Sequence, residues 1–325
     1  MPLATFEEKM IEINGESPSI LLGNGFSQAW RRDIFSYFNL LQEANFGVRQ
    51  STLMSLFDQL STYDFEKVMQ ALDLAERVCR NYNVDPNAIS MINDDKQQLR
   101  TSLIDVITRR HPARSSYVTL HQYGTAKPFT YQFRNIFTLN YDLLLYWIIN
   151  KTEVIPYGYH HSDGFMGDTW IDRPEQSIFF LHGGLHIYDT GTSIRKHVFN
   201  DHRNTSIAEQ VGANLNAGHF PLFVSEPNWE NKLQKIRHNP YLNSCYNSLK
   251  KINGSLFIHG HSMAENDRHI FDQIQKSNVS RVFVGIFGDI NLPSNRESVA
   301  NAHRFIENQR ISVDFYDAAT AAIWS

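Results

Sequence analysis

Four compact apolar runs, each stopped abruptly by a small or polar residue, constrain this chain more than anything else in it. Ser19-Ile20-Leu21-Leu22 stops at Gly23, Asn135-Ile136-Phe137-Thr138-Leu139 at Asn140, Ser177-Ile178-Phe179-Phe180-Leu181 at His182, and Ser255-Leu256-Phe257-Ile258-His259 at Gly260. Runs this short and this apolar, bounded by turn-forming residues, predict buried strands rather than helices. Further strands are expected near 153–156, 221–225, 281–287 and 311–316. The fold class that accommodates them is α/β: a Rossmann-like, mostly parallel sheet flanked by helices.

The residues just after each run bear on chemistry, because ligands of open α/β sheets bind at the carboxyl ends of the strands. After the first run comes Gly23-Asn24-Gly25-Phe26-Ser27. Gly23 and Gly25 allow positive φ and close approach of backbone N–H groups, and Ser27 adds a hydroxyl. The segment is either a phosphate cradle or a plain strand-to-helix turn. A dinucleotide fingerprint needs a third glycine, and Gln28 stands there instead, which speaks against a hydride-transferring dehydrogenase.

After the second run, Asn140 and Asp142 stand at the strand's carboxyl end, where an apolar helical stretch from Tyr141 to Trp147 begins; each could bind a ligand, cap the helix, or do both. After the third, His182 sits at a strand end where an imidazole can act as a base near neutral pH. His186, His160 and His161 lack such an address. The fourth is followed by Gly260-His261-Ser262 and then Asp267, readable as ligand donors or as a turn with Ser262 or Asp267 as helix N-cap.

In this order, Gly23-Asn24-Gly25-Phe26-Ser27, Thr138-Leu139-Asn140-Tyr141-Asp142, Leu181-His182-Gly183 and Gly260-His261-Ser262 resemble the signature segments of the sirtuin-like NAD-consuming superfamily. The resemblance is closer to its stand-alone prokaryotic branch, often found in anti-phage defence, than to protein deacylases. It runs through nearly the whole chain and includes Asp64-Phe65-Glu66, Pro221-Leu222-Phe223-Val224-Ser225-Glu226 and Val313-Asp314-Phe315-Tyr316-Asp317.

The resemblance implies that the glycine loop, residues 23–27, holds the pyrophosphate of NAD. It implies that Asn140 contacts the nicotinamide ribose or the attacking water, Asp142 holds the carboxamide, and His182 is the base. Thr138 would join the cofactor-binding set, and Gly260, His261 and Ser262 would lie on the adenosine side. Deacylating sirtuins carry a glutamine before the asparagine, where this chain has Leu139. They also carry a four-cysteine zinc, whereas Cys79 and Cys245 are the only cysteines here and cannot close such a site. Peptide deacylation is therefore in doubt, and water is the expected acceptor.

The expected activity is that of an NAD glycohydrolase without a metal; the resemblance implies that it acts in defence by NAD depletion, as a homo-oligomer or with a partner protein, and is restrained until that partner or assembly releases it. Two rivals stay open: a sensor that binds NAD or ADP-ribose without turnover, and an ADP-ribosyl or acyl transferase.

Hydrophobic period organises the rest. Phe65, Val68, Met69, Leu72, Ala75 and Cys79 fall on one face of a helix expected over 65–80 with Asp64 as N-cap, and a second helix is expected over 95–109. A single domain over 1–325 is expected, with residues from about 41 to 130 as an α-helical insertion. Residues 158–175 and 190–217, rich in Gly, Asp, Asn and His, read as loops.

A net charge of −4 with scattered basic residues gives no nucleic-acid footprint. The amino terminus carries no stretch resembling a signal peptide, and the longest apolar run, 143–149, is far short of the roughly twenty residues that span a bilayer. With only two cysteines, a cytoplasmic protein that does not engage membranes is expected.

Overall fold

The computed structural model describes residues 3–31, 40–63, 65–199, 206–224, 226 and 228–325. Asp64 and Ser225 lie outside the described residues. In chain order the strands are β1 (Ala4–Thr5), β2 (Ser19–Leu22), β3 (Asn135–Thr138), β4 (Phe165–Met166), β5 (Thr169–Trp170), β6 (Ile178–Phe180), β7 (Gly183–Asp189), β8 (Ile194–Lys196), β9 (Pro221–Phe223), β10 (Asn253–His259), β11 (Asn278–Ile286) and β12 (Ser312–Asp317).

The helices are α1 (Phe6–Glu12), α2 (Asn24–Trp30), α3 (Leu40–Glu43), α4 (Gln50–Gln59), α5 (Phe65–Asn81), α6 (Pro86–Arg110), α7 (Leu120–Tyr131), α8 (Leu144–Asn150), α9 (Ile207–Asn216), α10 (Trp229–His238), α11 (Pro240–Leu249), α12 (Arg268–Gln275) and α13 (Pro293–Phe305). No helix among the described residues is long and apolar enough to cross a membrane.

Seven strands form a wholly parallel sheet in the order β1-β12-β11-β10-β2-β3-β6. The four apolar runs supply its neighbouring strands β10, β2, β3 and β6. All four residues of β2 are buried, as a strand covered on both faces must be. From β2 the chain first builds outward through β3 and β6, then returns to place β10 on the other side of β2. The junction of β10 and β2 is thus the topological switch point of a doubly wound sheet, the usual place for a crevice.

Aromatic packing holds this centre: Phe6 contacts Phe129, Phe257 and Tyr316 with ring centroids 5.4–5.7 Å apart, and Phe137 stacks on Phe179 at 4.7 Å.

A second, antiparallel sheet, β4-β5-β8-β7-β9, corrects the expectation of loops over 158–175 and 190–217. It branches from the first at His182, since β6 ends at Phe180 and β7 begins at Gly183. Gly183 has φ +81°, and a Cβ there would lie 1.9 Å from the carbonyl oxygen of Leu222, so only glycine fits the branch point. Helix α9 also falls in the expected loop; its Ser206 and Glu209 close a capping box that the sequence displays.

The strand expected at 153–156 does not form. The chain turns there through a cis Ile155–Pro156 bond, and the buried ammonium of Lys127 takes up the carbonyls of Lys151, Val154 and Gly158 at 2.7–3.2 Å. Helix α6 begins well before 95, because Asp85 caps it and Pro86 occupies its first turn.

Candidate active site

Register explains why distant segments meet. Leu22 is level with Thr138 on one side and His259 on the other, and Thr138 is level with Phe180. The residues just beyond these rungs therefore emerge together at the carboxyl edge of the sheet. They open a cleft of about 770 Å³ lined by Gly23, Asn24, Gly25, Asn140, His182, Gly260, His261 and Ser262, together with Glu226, Lys232 and Asp267.

The glycines join two turns at the rim of this cleft. Gly23 has φ −101° and Gly25 is likewise outside the positive-φ set, whereas Gly260 has φ +69°. The two turns pack backbone against backbone: a Cβ on Gly25 would lie 2.6 Å from Gly260 Cα, and one on Gly260 would lie 2.5 Å from the nitrogen of Phe26. Gly23 N donates to His259 O at 2.9 Å and Gly25 N to Gly260 O at 2.8 Å. Those two N–H groups are used in joining the turns. Gly25→Ala and Gly260→Ala are each expected to lower stability by about 1–3 kcal/mol through overpacking, read from urea unfolding; unchanged midpoints would disprove this account of the joint.

Asn140 is fixed by both protons of its amide. Nδ2 donates to Gly23 O and to Ser27 Oγ, each at 3.0 Å, which leaves the carbonyl oxygen for the cleft. Ser27 Oγ donates in turn to Asp142 Oδ2 at 2.5 Å, and Asp142 Oδ1 accepts from Leu144 N at 2.9 Å. Burial raises the Asp142 carboxyl above its usual range, against the pull of these two bonds.

Asp142 and Ser27 therefore stand behind the cleft wall, orienting Asn140 and the start of α8. Thr138 is also behind it, accepting from Asn140 N at 3.0 Å, as is Phe26, whose ring packs on Trp324 and whose carbonyl accepts from Trp324 Nε1 at 2.8 Å. None of these four lines the cleft. Ser262 lines it but caps no helix, and Asp267, at the N-cap of α12, uses its carboxylate elsewhere.

His182 is buried, its carbonyl held by Val224 N at 3.0 Å and its Nε2 3.2 Å from Nε2 of His269. Burial drives its pKa well below the histidine range, so the ring is neutral at pH 7, and His269 is pushed down to about 3 for the same reason.

Asp267 is the hub beside them. Lys232 Nζ on α10 donates to Oδ1 at 2.7 Å, His261 Nε2 reaches Oδ2 at 3.1 Å, and His182 Nε2 is 3.9 Å from Oδ1. Burial opposes ionisation of Asp267, but the bond from His261 and the charge of Lys232 outweigh it and hold the carboxyl well below its usual range. Met263 N donates to His261 Nδ1 at 2.9 Å, so the His261 proton resides on Nε2.

Sequence reasoning misses Lys232, Glu226 and His269, and reaches Asp267 only as a turn or helix-cap residue after the fourth run. The one legible hint was the sequence Asp267-Arg268-His269 soon after Gly260-His261-Ser262; Lys232 and Glu226 reach the site only through the fold. Glu226 is buried on the cleft wall, 3.8 Å from Lys67 and from Lys235.

A parallel sheet wound on both sides of β2, with a cleft at its switch point, defines a Rossmann-like α/β protein. The chain matches a domain of unknown function (DUF4917) over residues 20–324, and it belongs to that family. No curated protein matches it. Among solved structures it is similar to Sir2Tm bound to a propionylated peptide, at 11% identity over 92% of this chain and 95% of that one, with a TM-score of 0.38. It is also similar to a Sir2 homolog–NAD complex, at 10% identity over 99% of this chain and 93% of that one, again with a TM-score of 0.38.

Proposed function

We propose that the cleft is the active site of an NAD glycohydrolase that releases nicotinamide and passes ADP-ribose to water. The observation that carries this reading is the meeting of Asn140, His182 and the interlocked turns at Gly25 and Gly260 around one switch-point crevice. Its volume lies within the roughly 300–1,000 Å³ of small-molecule sites.

The chemistry suits these groups. Nicotinamide leaves a cationic ring as a neutral molecule, so departure needs no general acid, and positive charge develops on the ribose. The fixed carbonyl oxygen of Asn140 is directed at the water or a ribose hydroxyl, and the buried Glu226 carboxylate adds negative potential to the same cleft. With the Nε2 proton of His182 donated to His269, Nδ1 of His182 keeps a lone pair. Water oxygen bonds to C1′ as the C–N bond breaks, its electron pair goes to nicotinamide, and the water proton passes to His182.

Within this reading the chain is one domain with a helical insertion over about 41–130. It works in the cytoplasm as an anti-phage effector that depletes NAD, held inactive until a partner protein or assembly into a homo-oligomer releases it. Incubation of the purified protein with NAD is expected to yield nicotinamide and ADP-ribose in equal amounts by chromatography. NAD that binds and is recovered intact would replace the enzyme with a sensor, and labelled ADP-ribose attached to protein would make it a transferase.

A further inference from the structure

We propose that His182, His269 and Asp267 form a binding site for one divalent transition-metal ion of the zinc type, opening on the same cleft. Nothing in the chemistry proposed above requires such an ion. One ligand atom from each residue converges, His182 Nε2, His269 Nε2 and a carboxylate oxygen of Asp267, all within 4.8 Å of one another.

The spacing is the first argument. Two nitrogens on a tetrahedral ion, each bound at roughly 2.0–2.1 Å, stand about 3.3 Å apart. The two Nε2 atoms already stand at 3.2 Å. Asp267 Oδ1 stands 3.9 Å from His182 Nε2, about 0.5 Å beyond the same spacing, and with all three ligand atoms within 4.8 Å of one another the carboxylate has to swing inward towards both rings to complete the geometry.

The second argument is the state of the ligands. Metal-binding imidazoles must be neutral and a ligating carboxylate ionised, and burial and pairing put all three groups in those states at pH 7. The third is the outer shell. Ligating carboxylates are ordinarily held by further hydrogen bonds, and Asp267 has Lys232 on Oδ1 and His261 on Oδ2. His182 and Asp267 both line the cleft, which supplies an entry path and an open fourth position. Three protein ligands with one open place is the arrangement of an accessible ion, as opposed to a closed structural zinc.

Occupancy would act on the site. An ion on Nε2 forces the remaining proton of His182 onto Nδ1 and leaves the ring no lone pair to accept another. Zinc is therefore expected to block nicotinamide release. That consequence rests on the NAD reading, whereas binding itself does not, so the two can fail separately.

Cobalt(II) is the probe, added to metal-free full-length protein and followed by its visible d–d absorption. The expected result is one cobalt per chain, displaced by zinc, with affinity reduced at least about 100-fold in His269→Gln and in Asp267→Asn. Circular dichroism verifies that each variant is folded, and either folded variant suffices. No cobalt bound by the wild type, or binding undiminished in a folded variant, would overturn the site.

Discussion

Replacing His182 with alanine is expected to slow nicotinamide release from NAD by about 10²- to 10⁴-fold, the range that a positioned general base contributes. The substitution leaves the backbone where it is, because Val224 N–H grips the carbonyl of residue 182 and β7 starts at the next residue. It removes a ring that contacts His269 and Tyr141 and opens space beside a cleft that water already reaches. The loss should thus fall on kcat with little change in KM, and the circular dichroism spectrum should match that of the wild type. Release near the wild-type rate in a folded His182→Ala protein would remove His182 from the mechanism.

Between pH 6.5 and 5 the protein is expected to lose several kcal/mol of stability, earlier than carboxylate protonation alone would produce. His111 and His259 are both buried and both pushed down to about 4 by that burial, from an ordinary 6.5. A folded-state pKa below the unfolded one means the unfolded chain binds more protons. The stabilisation is then complete above pH 6.5 and is lost as pH falls towards 4. A shift from 6.5 to about 4 corresponds to roughly 3 kcal/mol for each group once the window has been crossed.

His111 shows the structural reason. Leu143 N–H donates to its Nε2 at 2.8 Å while its Nδ1 contacts Pro112 O at 2.7 Å, so the neutral ring is satisfied at both nitrogens and ties the end of α6 to the start of α8. A proton on Nε2 would set two donors against each other. Urea unfolding at pH 7, 6 and 5 measures the effect, and replacing His111 with Gln should flatten the slope. A stability curve level across that interval would sink the explanation.

Much of the fold was legible because strands buried on both faces advertise themselves. The runs before Gly23, Asn140, His182 and Gly260 needed no alternation to be seen, and they proved to be neighbours in one sheet. The short strands of the second sheet carried no comparable signal. β4, β5 and β8 are two or three residues long and exist through a chain of pairings, β4 on β5, β5 on β8 and β8 on β7, and the opening Gly183-Gly184 of β7 looks like a turn. Val154-Ile155 passed for a strand because its neighbours could not reveal that Lys127, 27 residues before Val154, would hold the loop's carbonyls.

The candidate site divides in the same way. Local sequence identified which residues end the strands, since composition and turn chemistry act over a few residues. Only the register of β10, β2 and β3 decided that Gly25 and Gly260 interlock and that Asn140 faces the cleft while Asp142, Ser27, Thr138 and Phe26 stand behind it, and only the packing of α10 and the start of α12 gathers Lys232, Asp267 and His269 around His182. Those outcomes depend on distances between segments far apart along the chain, and close packing sets such distances whereas neighbouring residues in the sequence do not.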